Sequence, residues 1–200
     1  MQQTVFTIGH STHPQAALIG LLASHGITAV CDVRSQPYSR FNPQFNREPL
    51  EQAMEAAGIA YRFLGRELGA RSEDPSCYRD GKVQYDRLAQ TELFRQGLDR
   101  VRAGLRQGFR ISLLCAEKEP LECHRTILVS RQLSYLGLEI QHIHADGRLE
   151  SHAGAMLRLA RLLDLPEHDL FRSPADLIEE AYRLQGDRIA YTREAAASSL

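Results

Sequence analysis

The chain has 200 residues, of which 43% are hydrophobic and 24% are charged, the proportions of a folded globular protein and not of a disordered or fibrous one. Its 24 Lys and Arg against 25 Asp and Glu give a net charge of −1, which excludes a global field that attracts nucleic acid or anionic membrane. No stretch approaches the roughly 20 apolar residues that span a bilayer, and the first residues lack the pattern of a secretory signal. We therefore predict a cytoplasmic protein with no membrane partner.

Strand-like and helix-like patterns alternate along the chain. The first unit is a β-rich run at 4–8, a turn at 9–11, and a helix that Pro14 opens. We expect Gly97 to interrupt the fourth helix, and Pro120 to mark the first turn of the fifth. The predicted strands are 4–8, 27–31, 58–63, 109–115 and 138–143, and the predicted helices are about 14–25, 48–57, 84–107, 120–136 and 151–163.

This alternation predicts an α/β fold. The run at 27–31 is apolar without alternation, which is typical of a strand covered on both faces. We expect a mainly parallel, doubly wound, Rossmann-like sheet of about five strands, with ligands bound beyond the carboxyl ends of the strands. The α/β domain should cover 1–163, and 164–200 should form a C-terminal helical extension that packs on it and frays at its last residues.

A long loop at 35–46 follows the second predicted strand and is rich in arginine and aromatic residues. Arginine suits phosphate, and aromatic rings offer faces on which bases stack. A nucleotide or a single nucleic-acid strand would use that combination. The alternative is a loop that its aromatic residues anchor, with the arginines solvated or paired.

The run from Cys115 to Arg125 is the second candidate region. Cys123, His124 and Arg125 fall near a predicted helix start, where free N–H groups and the helix dipole favour an anion. A thiol in that place can have a lowered pKa and act as a nucleophile. The alternative is that Cys123 packs inward while its neighbours cap carbonyls. The Cys-x5-Arg loop of cysteine-dependent phosphatases is absent.

Cysteine and histidine are also the preferred ligands of zinc. Cys115, Cys123 and His124, with His10 or His142 as a fourth group, are a weak candidate because no paired Cys-x2-Cys spacing is present. We therefore predict no metal and no cofactor. Two cysteines and four histidines have no evident chemical neighbours: we place Cys31 in the core and Cys77 in a loop, and His13, His25, His152 and His168 at the surface.

Polar groups follow four predicted strands, and parallel strands would bring these groups to one edge. Asp32 and Glu117 there are either general acids or bases, or ion-pair partners of Arg34, Lys118 or Arg125. The candidate catalytic residues are His10, Glu117, Cys123 and His124. The candidate ligand-binding residues are Ser11, Asp32, Arg34, Tyr38, Ser39, Arg40, Phe41, Cys115, Lys118 and Arg125.

Several separated motifs, in order between about Thr4 and His144, resemble the bacterial and archaeal family called domain of unknown function 488. They are Thr7-Ile-Gly-His-Ser-Thr12, Asp32-Val-Arg34 followed by Pro37 and Ser39-Arg40, Asn42-Pro-Gln-Phe45, Leu114-Cys-Ala-Glu-Lys118, and Cys123-His-Arg125. The family often has a double glycine before an arginine where this chain has Gly69-Ala70-Arg71. The resemblance implies an α/β fold with a shared polar site and brings no established reaction, substrate or cofactor.

We therefore expect an enzyme or sensor that acts on a phosphate-bearing ligand, such as a nucleotide or a nucleic-acid fragment. Arg34, Arg40 and Arg125 would hold the phosphate, and His10, Glu117 or His124 would move a proton. Two alternatives stay open: a thiol-dependent enzyme that uses Cys115 or Cys123, and a noncatalytic binding module with a structural metal at the same cysteines.

Overall fold

A computed structural model describes residues 3–166 and 169–193. It contains one six-stranded sheet, a two-stranded hairpin and helices on both faces of the sheet. The strands are β1 (Thr4–Gly9), β2 (Ala29–Asp32), β3 (Ala60–Phe63), β4 (Tyr78–Arg79), β5 (Lys82–Val83), β6 (Ile111–Cys115), β7 (Glu139–Ile143) and β8 (Leu149–Ser151). The α-helices are α1 (Gln15–Ser24), α2 (Arg47–Ala56), α3 (Gly65–Leu68), α4 (Tyr85–Ala89), α5 (Glu92–Arg106), α6 (Arg131–Tyr135), α7 (His152–Leu162) and α8 (Pro174–Ile189).

The sheet has the order β3-β2-β6-β1-β7-β8, and all its pairings are parallel except that of β7 with β8. This confirms the predicted α/β class with a mainly parallel sheet. Sequence patterns missed β8 and the hairpin of β4 and β5, because strands of two or three residues are too short to show a period. None of the described helices is long and apolar enough to cross a membrane.

The sheet separates two apolar cores. On one face, Phe6, Ile8 and Leu114 pack with buried side chains of α1 and α2. On the other face, Val5 and Leu113 pack with α5, α7 and α8. Neighbours along a strand point to opposite faces, so each central strand is apolar on both sides and stays buried, as the sequence pattern predicts.

Two of the helix predictions are wrong in detail. Gly97 lies inside α5, and the break falls earlier, where Thr91 caps α5 by accepting the Phe94 N–H at 3.2 Å. Gly97 instead allows close helix packing, because a Cβ there would lie 2.7 Å from Leu68 of α3. A capping residue such as Ser, Thr, Asp or Asn marks the start of a helix more reliably than an internal glycine marks its end.

The helix predicted from Pro120 also begins later. Pro120–Glu122 form a single 3-10 turn, and Cys123 is extended, with φ −136° and ψ 137°. The helix starts at His124 and contains a π-helical segment, Arg125–Ser130, before α6. The Ser130 hydroxyl donates a hydrogen bond to the Arg125 carbonyl at 2.7 Å within that segment.

Buried hydrogen bonds link α7 and α8 to the sheet. Thr7, His142, His152 and Tyr182 form a chain with donor–acceptor distances of 2.8, 3.0 and 2.7 Å. The prediction that His152 lies at the surface is therefore wrong, whereas His13 and His25 are half-buried. His168 and the predicted frayed end lie outside the described residues, and the division of the chain at 163 stays a prediction.

Candidate functional site

The carboxyl ends of three neighbouring strands meet at one edge of the sheet. Gly9 is level with Cys115, and Asp32 with Leu114. Beyond the strands, His10 N–H donates to the Cys115 carbonyl at 2.9 Å. The close approach depends on Gly9, because a Cβ there would lie 1.8 Å from the Glu117 carbonyl oxygen. The segment after β6 is thereby held against the end of β1.

Two cysteines and a histidine form a buried cluster at this edge. The Nδ1 atom of His124 lies 3.7 Å from the sulfur of Cys115 and 3.9 Å from the sulfur of Cys123. The Cys123 thiol also donates to a carboxylate oxygen of Glu117 at 2.9 Å. The three predicted catalytic residues after β6 and the ligand-binding candidate Cys115 are thus brought together.

The orientation of the His124 ring follows from its other nitrogen. Nε2 lies 3.0 Å from the Val33 carbonyl, which can only accept, so Nε2 carries a proton. Nδ1 therefore presents either its lone pair or a second proton to the two sulfurs. Because Nδ1 and both sulfurs meet in a buried space, their protonation states are interdependent.

Electrostatics separate the two thiols. Burial raises the pKa of Cys115 well above its ordinary value. Burial opposes ionisation of Cys123 as well, but Cys115, Arg125 and His124 outweigh it and lower the pKa of the Cys123 thiol well below its ordinary value. Desolvation of its carboxyl group, with Cys123 next to it, raises the pKa of Glu117, although the residue as a whole is exposed. Cys123 is therefore the thiol that these surroundings activate.

Arg125 was predicted to bind ligand, but the structure gives its guanidinium main-chain partners. The side chain is fully buried, and Nη1 donates to the Glu117 carbonyl at 2.7 Å. No carboxylate of the described residues pairs with it. Arg125 thus shapes the segment after β6 and supplies a buried positive charge beside the cysteines.

A second buried group surrounds the Asp32 carboxylate. It accepts hydrogen bonds from the backbone N–H, Nε and Nη2 of Arg34 and from the Tyr61 hydroxyl at 2.7 Å. Nη1 of Arg34 donates to the Phe45 carbonyl at 2.8 Å and lies 3.2 Å from Nε2 of His10. Tyr61 was not among the predicted site residues, because it lies inside a strand and not at the strand ends where the polar groups were expected to meet. Asp32 and Arg34 form the ion pair that was the alternative reading of these residues.

His10 has both ring nitrogens engaged. Nδ1 lies 2.8 Å from the Ser11 carbonyl and so carries the proton, which leaves Nε2 to accept from Arg34. Burial lowers the pKa of His10 to about 4, and its ring stacks on Phe45 with the centroids 4.3 Å apart. These contacts favour a structural role over proton transfer. His142, with nitrogens bonded to Thr7 and His152, is equally occupied.

A cleft of about 350 Å³ opens onto the cysteine and histidine cluster. The predicted residues that line it are Arg34, Tyr38, Cys115, Glu117 and His124, and the lining residues that sequence reasoning missed are Ser35, Gln36, Ala70, Arg71, Tyr85, Ala116, Glu122, Ile189 and Tyr191. Arg71 comes from a loop, and Tyr191 comes from the segment after α8. The Gly69-Ala70-Arg71 motif could have drawn attention to Arg71, but no sequence signal pointed to Tyr191. Gly69 does permit a close approach, because a Cβ there would lie 2.4 Å from the Ser35 hydroxyl.

Other predicted ligand-binding residues do not line this cleft. Phe41 is 78% exposed, with the Arg40 guanidinium 4.8 Å above its ring. The Ser39 hydroxyl accepts the Phe41 N–H at 3.1 Å and so stabilises the loop. Lys118 is exposed, and Ser11 is a half-buried turn residue with φ 51°.

Comparison with known proteins identifies the family. The family model described as "Domain of unknown function DUF488" matches residues 15–132, more than half of the chain. Comparisons with curated proteins and with solved structures found no match. The matched range contains Asp32, Arg34 and the whole run from Cys115 to Arg125, so the chain belongs to the DUF488 family, a domain of unknown function.

Proposed function

We propose that the protein is an enzyme that acts on a small phosphate-bearing ligand in the cleft. Its reactive groups are the thiols, imidazole and carboxylate of Cys115, Cys123, His124 and Glu117. The observation that carries the proposal is a fixed cation, Arg71, that lines the same cleft without a carboxylate partner among the described residues.

Arg71 is held in place by neutral groups. Its Nη1 donates to the side-chain oxygen of Gln36 at 2.7 Å, and its guanidinium lies 4.5 Å from the ring centroid of Tyr191. These two contacts fix the side chain and leave its charge available, and the backbone N–H of Arg71 holds the loop by donating to the Ser35 hydroxyl at 3.1 Å. A guanidinium with free N–H groups favours the planar, forked arrangement of phosphate oxygens.

The proposal assigns the phosphate to Arg71 and not to the arginines first considered. Arg34 is neutralised by Asp32, and Arg125 is buried against carbonyls. Glu117 and Glu122 also line the cleft and repel an anion, so the phosphate belongs beside Arg71. Tyr38, 58% exposed with its hydroxyl bonded to Glu48 at 2.7 Å, offers a ring face for the remainder of a nucleotide.

Calorimetric titration with inorganic phosphate and nucleoside monophosphates tests this proposal. Loss of a charged hydrogen bond costs about 1.5–3 kcal/mol, so Arg71→Ala should weaken binding about tenfold to 100-fold. Arg66→Ala is the matched control, since Arg66 is an exposed arginine of α3 that does not line the cleft. Equal affinity in the two variants, or no binding by the unaltered protein, contradicts the proposal.

A second candidate is thiol chemistry at Cys123, which the lowered pKa beside Arg125 and His124 favours. In metal-free protein, the rate of alkylation of Cys123 by iodoacetamide should level off well below the pH of about 8.5 at which free cysteine ionises. Cys31→Ala removes a buried cysteine of β2 outside the cluster and serves as the control. A rate that still rises above pH 8.5 excludes an activated thiol.

A further inference from the structure

The cysteine and histidine cluster has the spacing of a metal site. Zn–S bonds of about 2.3 Å and Zn–N bonds of about 2.0–2.1 Å place the sulfur and nitrogen ligands of a tetrahedral ion about 3.6 Å apart. The distances from His124 Nδ1 to the two sulfurs are 3.7 and 3.9 Å, and all three donor atoms lie within 4.8 Å of one another. An ion could bind if the two distances from His124 Nδ1 to the sulfurs each shortened by no more than a few tenths of an ångström.

The surroundings hold these donors in place. Cys115 ends the central strand β6, and His124 begins the helix that follows. The hydrogen bond from His124 Nε2 to the Val33 carbonyl fixes the ring with Nδ1 towards the sulfurs. Metal-bound histidines have this kind of outer partner, which sets both the tautomer and the ring orientation.

We propose that Cys115, Cys123 and His124 bind one Zn²⁺ ion, with the fourth coordination position open to the cleft. Two thiolates balance the charge of the ion, so the buried centre is neutral next to the Arg125 guanidinium. Three protein ligands with one free position are typical of catalytic zinc, whereas structural zinc has four. Cys115 and His124 both line the cleft, which supports access to the free position.

Glu117 stays outside the coordination shell. Its carboxylate contacts Cys123 but is not part of the set of donors that lie within 4.8 Å of one another. Glu117 also lines the cleft onto which the open position would face, so its carboxylate could receive a proton from a zinc-bound water there. Catalytic use of the ion rests on the proposed function, whereas binding of the ion does not.

The first experiment measures the metal directly. Protein purified without chelator should contain one equivalent of zinc, measured by inductively coupled plasma mass spectrometry. X-ray absorption spectra of the zinc should show two sulfur ligands and a nitrogen ligand. Metal-free, reduced protein titrated with Co²⁺ should develop thiolate-to-cobalt charge-transfer bands. If the unaltered protein holds no zinc and gives no such bands, or if the spectra show no sulfur ligand, the site does not exist.

Variants then assign the ligands. Cys115→Ser, Cys123→Ser and His124→Ala should each weaken Co²⁺ binding by more than about 100-fold, beyond the effect of an outer-shell change. Glu117→Gln and the control Cys31→Ala should keep one equivalent. Because a core variant can fail to fold, the absorption spectrum of the unaltered protein decides the ligand set independently. Loss of metal in Glu117→Gln would make Glu117 a fourth ligand and overturn the open position.

A small anion tests the open position. Azide should change the visible spectrum of the Co²⁺ protein, since it enters a free coordination site, and an unchanged spectrum overturns that part of the proposal. The metal experiments can fail independently of the phosphate proposal. Arg71→Ala should bind one equivalent of metal like the unaltered protein, so absence of phosphate binding would not contradict the metal site. Absence of metal would likewise not contradict phosphate binding at Arg71.

Discussion

Replacement of Asp32 by alanine should be among the most destabilising changes in the protein. The carboxylate is fully buried and joins Arg34 and Tyr61 through several hydrogen bonds. Without it, the Arg34 side chain, which is 8% exposed, stays in the interior with no counter-charge. Removing one partner of a buried ion pair costs about 3–5 kcal/mol.

Urea denaturation of Asp32→Ala and of Asp99→Ala measures this effect. Asp99 also pairs with an arginine, Arg102, but its side chain is 67% exposed, and such surface pairs contribute about 0–1 kcal/mol. The free energy of unfolding should therefore fall by several kcal/mol in the first variant and hardly in the second. The double variant Asp32→Ala, Arg34→Met should recover part of the loss, because it removes the stranded charge. A loss below about 1 kcal/mol for Asp32→Ala would refute the reasoning.

Three further changes test other parts of the fold. Gly9→Ala should lower the free energy of unfolding by about 1–3 kcal/mol in urea, because the added Cβ meets the Glu117 carbonyl; an unchanged midpoint would show that the segment moves freely. Thr91→Ala should cost about 1 kcal/mol through loss of the α5 cap, measured in the same way, and no change would mean that another group caps the helix. The pKa of His10, lowered from 6.5 to about 4, implies that the unfolded chain binds the proton first as the pH falls, so stability from this residue is complete above pH 6.5 and declines by about 3 kcal/mol down to pH 4. His10→Asn should flatten that decline, and equal slopes in both proteins would argue against a buried neutral histidine.

Local patterns were sufficient for the five parallel strands of the main sheet. An apolar run between turn residues predicts a buried strand wherever both faces are covered, and β2 and β6 follow that rule closely. The same patterns bring Asp32 and Cys115 to one edge, since parallel strands end together. What the patterns lacked was the short antiparallel β8, whose three residues pair with β7 only through tertiary contact.

The roles of the arginines could not be read in the same way. Arg125 lies in a motif that predicted a ligand-binding residue, and Arg71 lies in a loop that did not, yet Arg125 is fully buried against the Glu117 carbonyl and Arg71 is exposed beside Tyr191. Which of them meets solvent depends on how a loop and the segment after α8 cross the ends of the strands. That crossing is set by packing over long sequence separations, which no local period encodes.

The π-helical segment Arg125–Ser130 limits where this chain can accept an insertion or a deletion. A π turn corresponds to one residue more than an α turn contains. Deleting a residue there would restore a regular α-helix and turn everything before it by about 100° around the helix axis, which would carry His124 away from Cys115. The extra residue and the cysteine–histidine cluster should therefore be gained and lost together among homologous chains, as a single evolutionary unit.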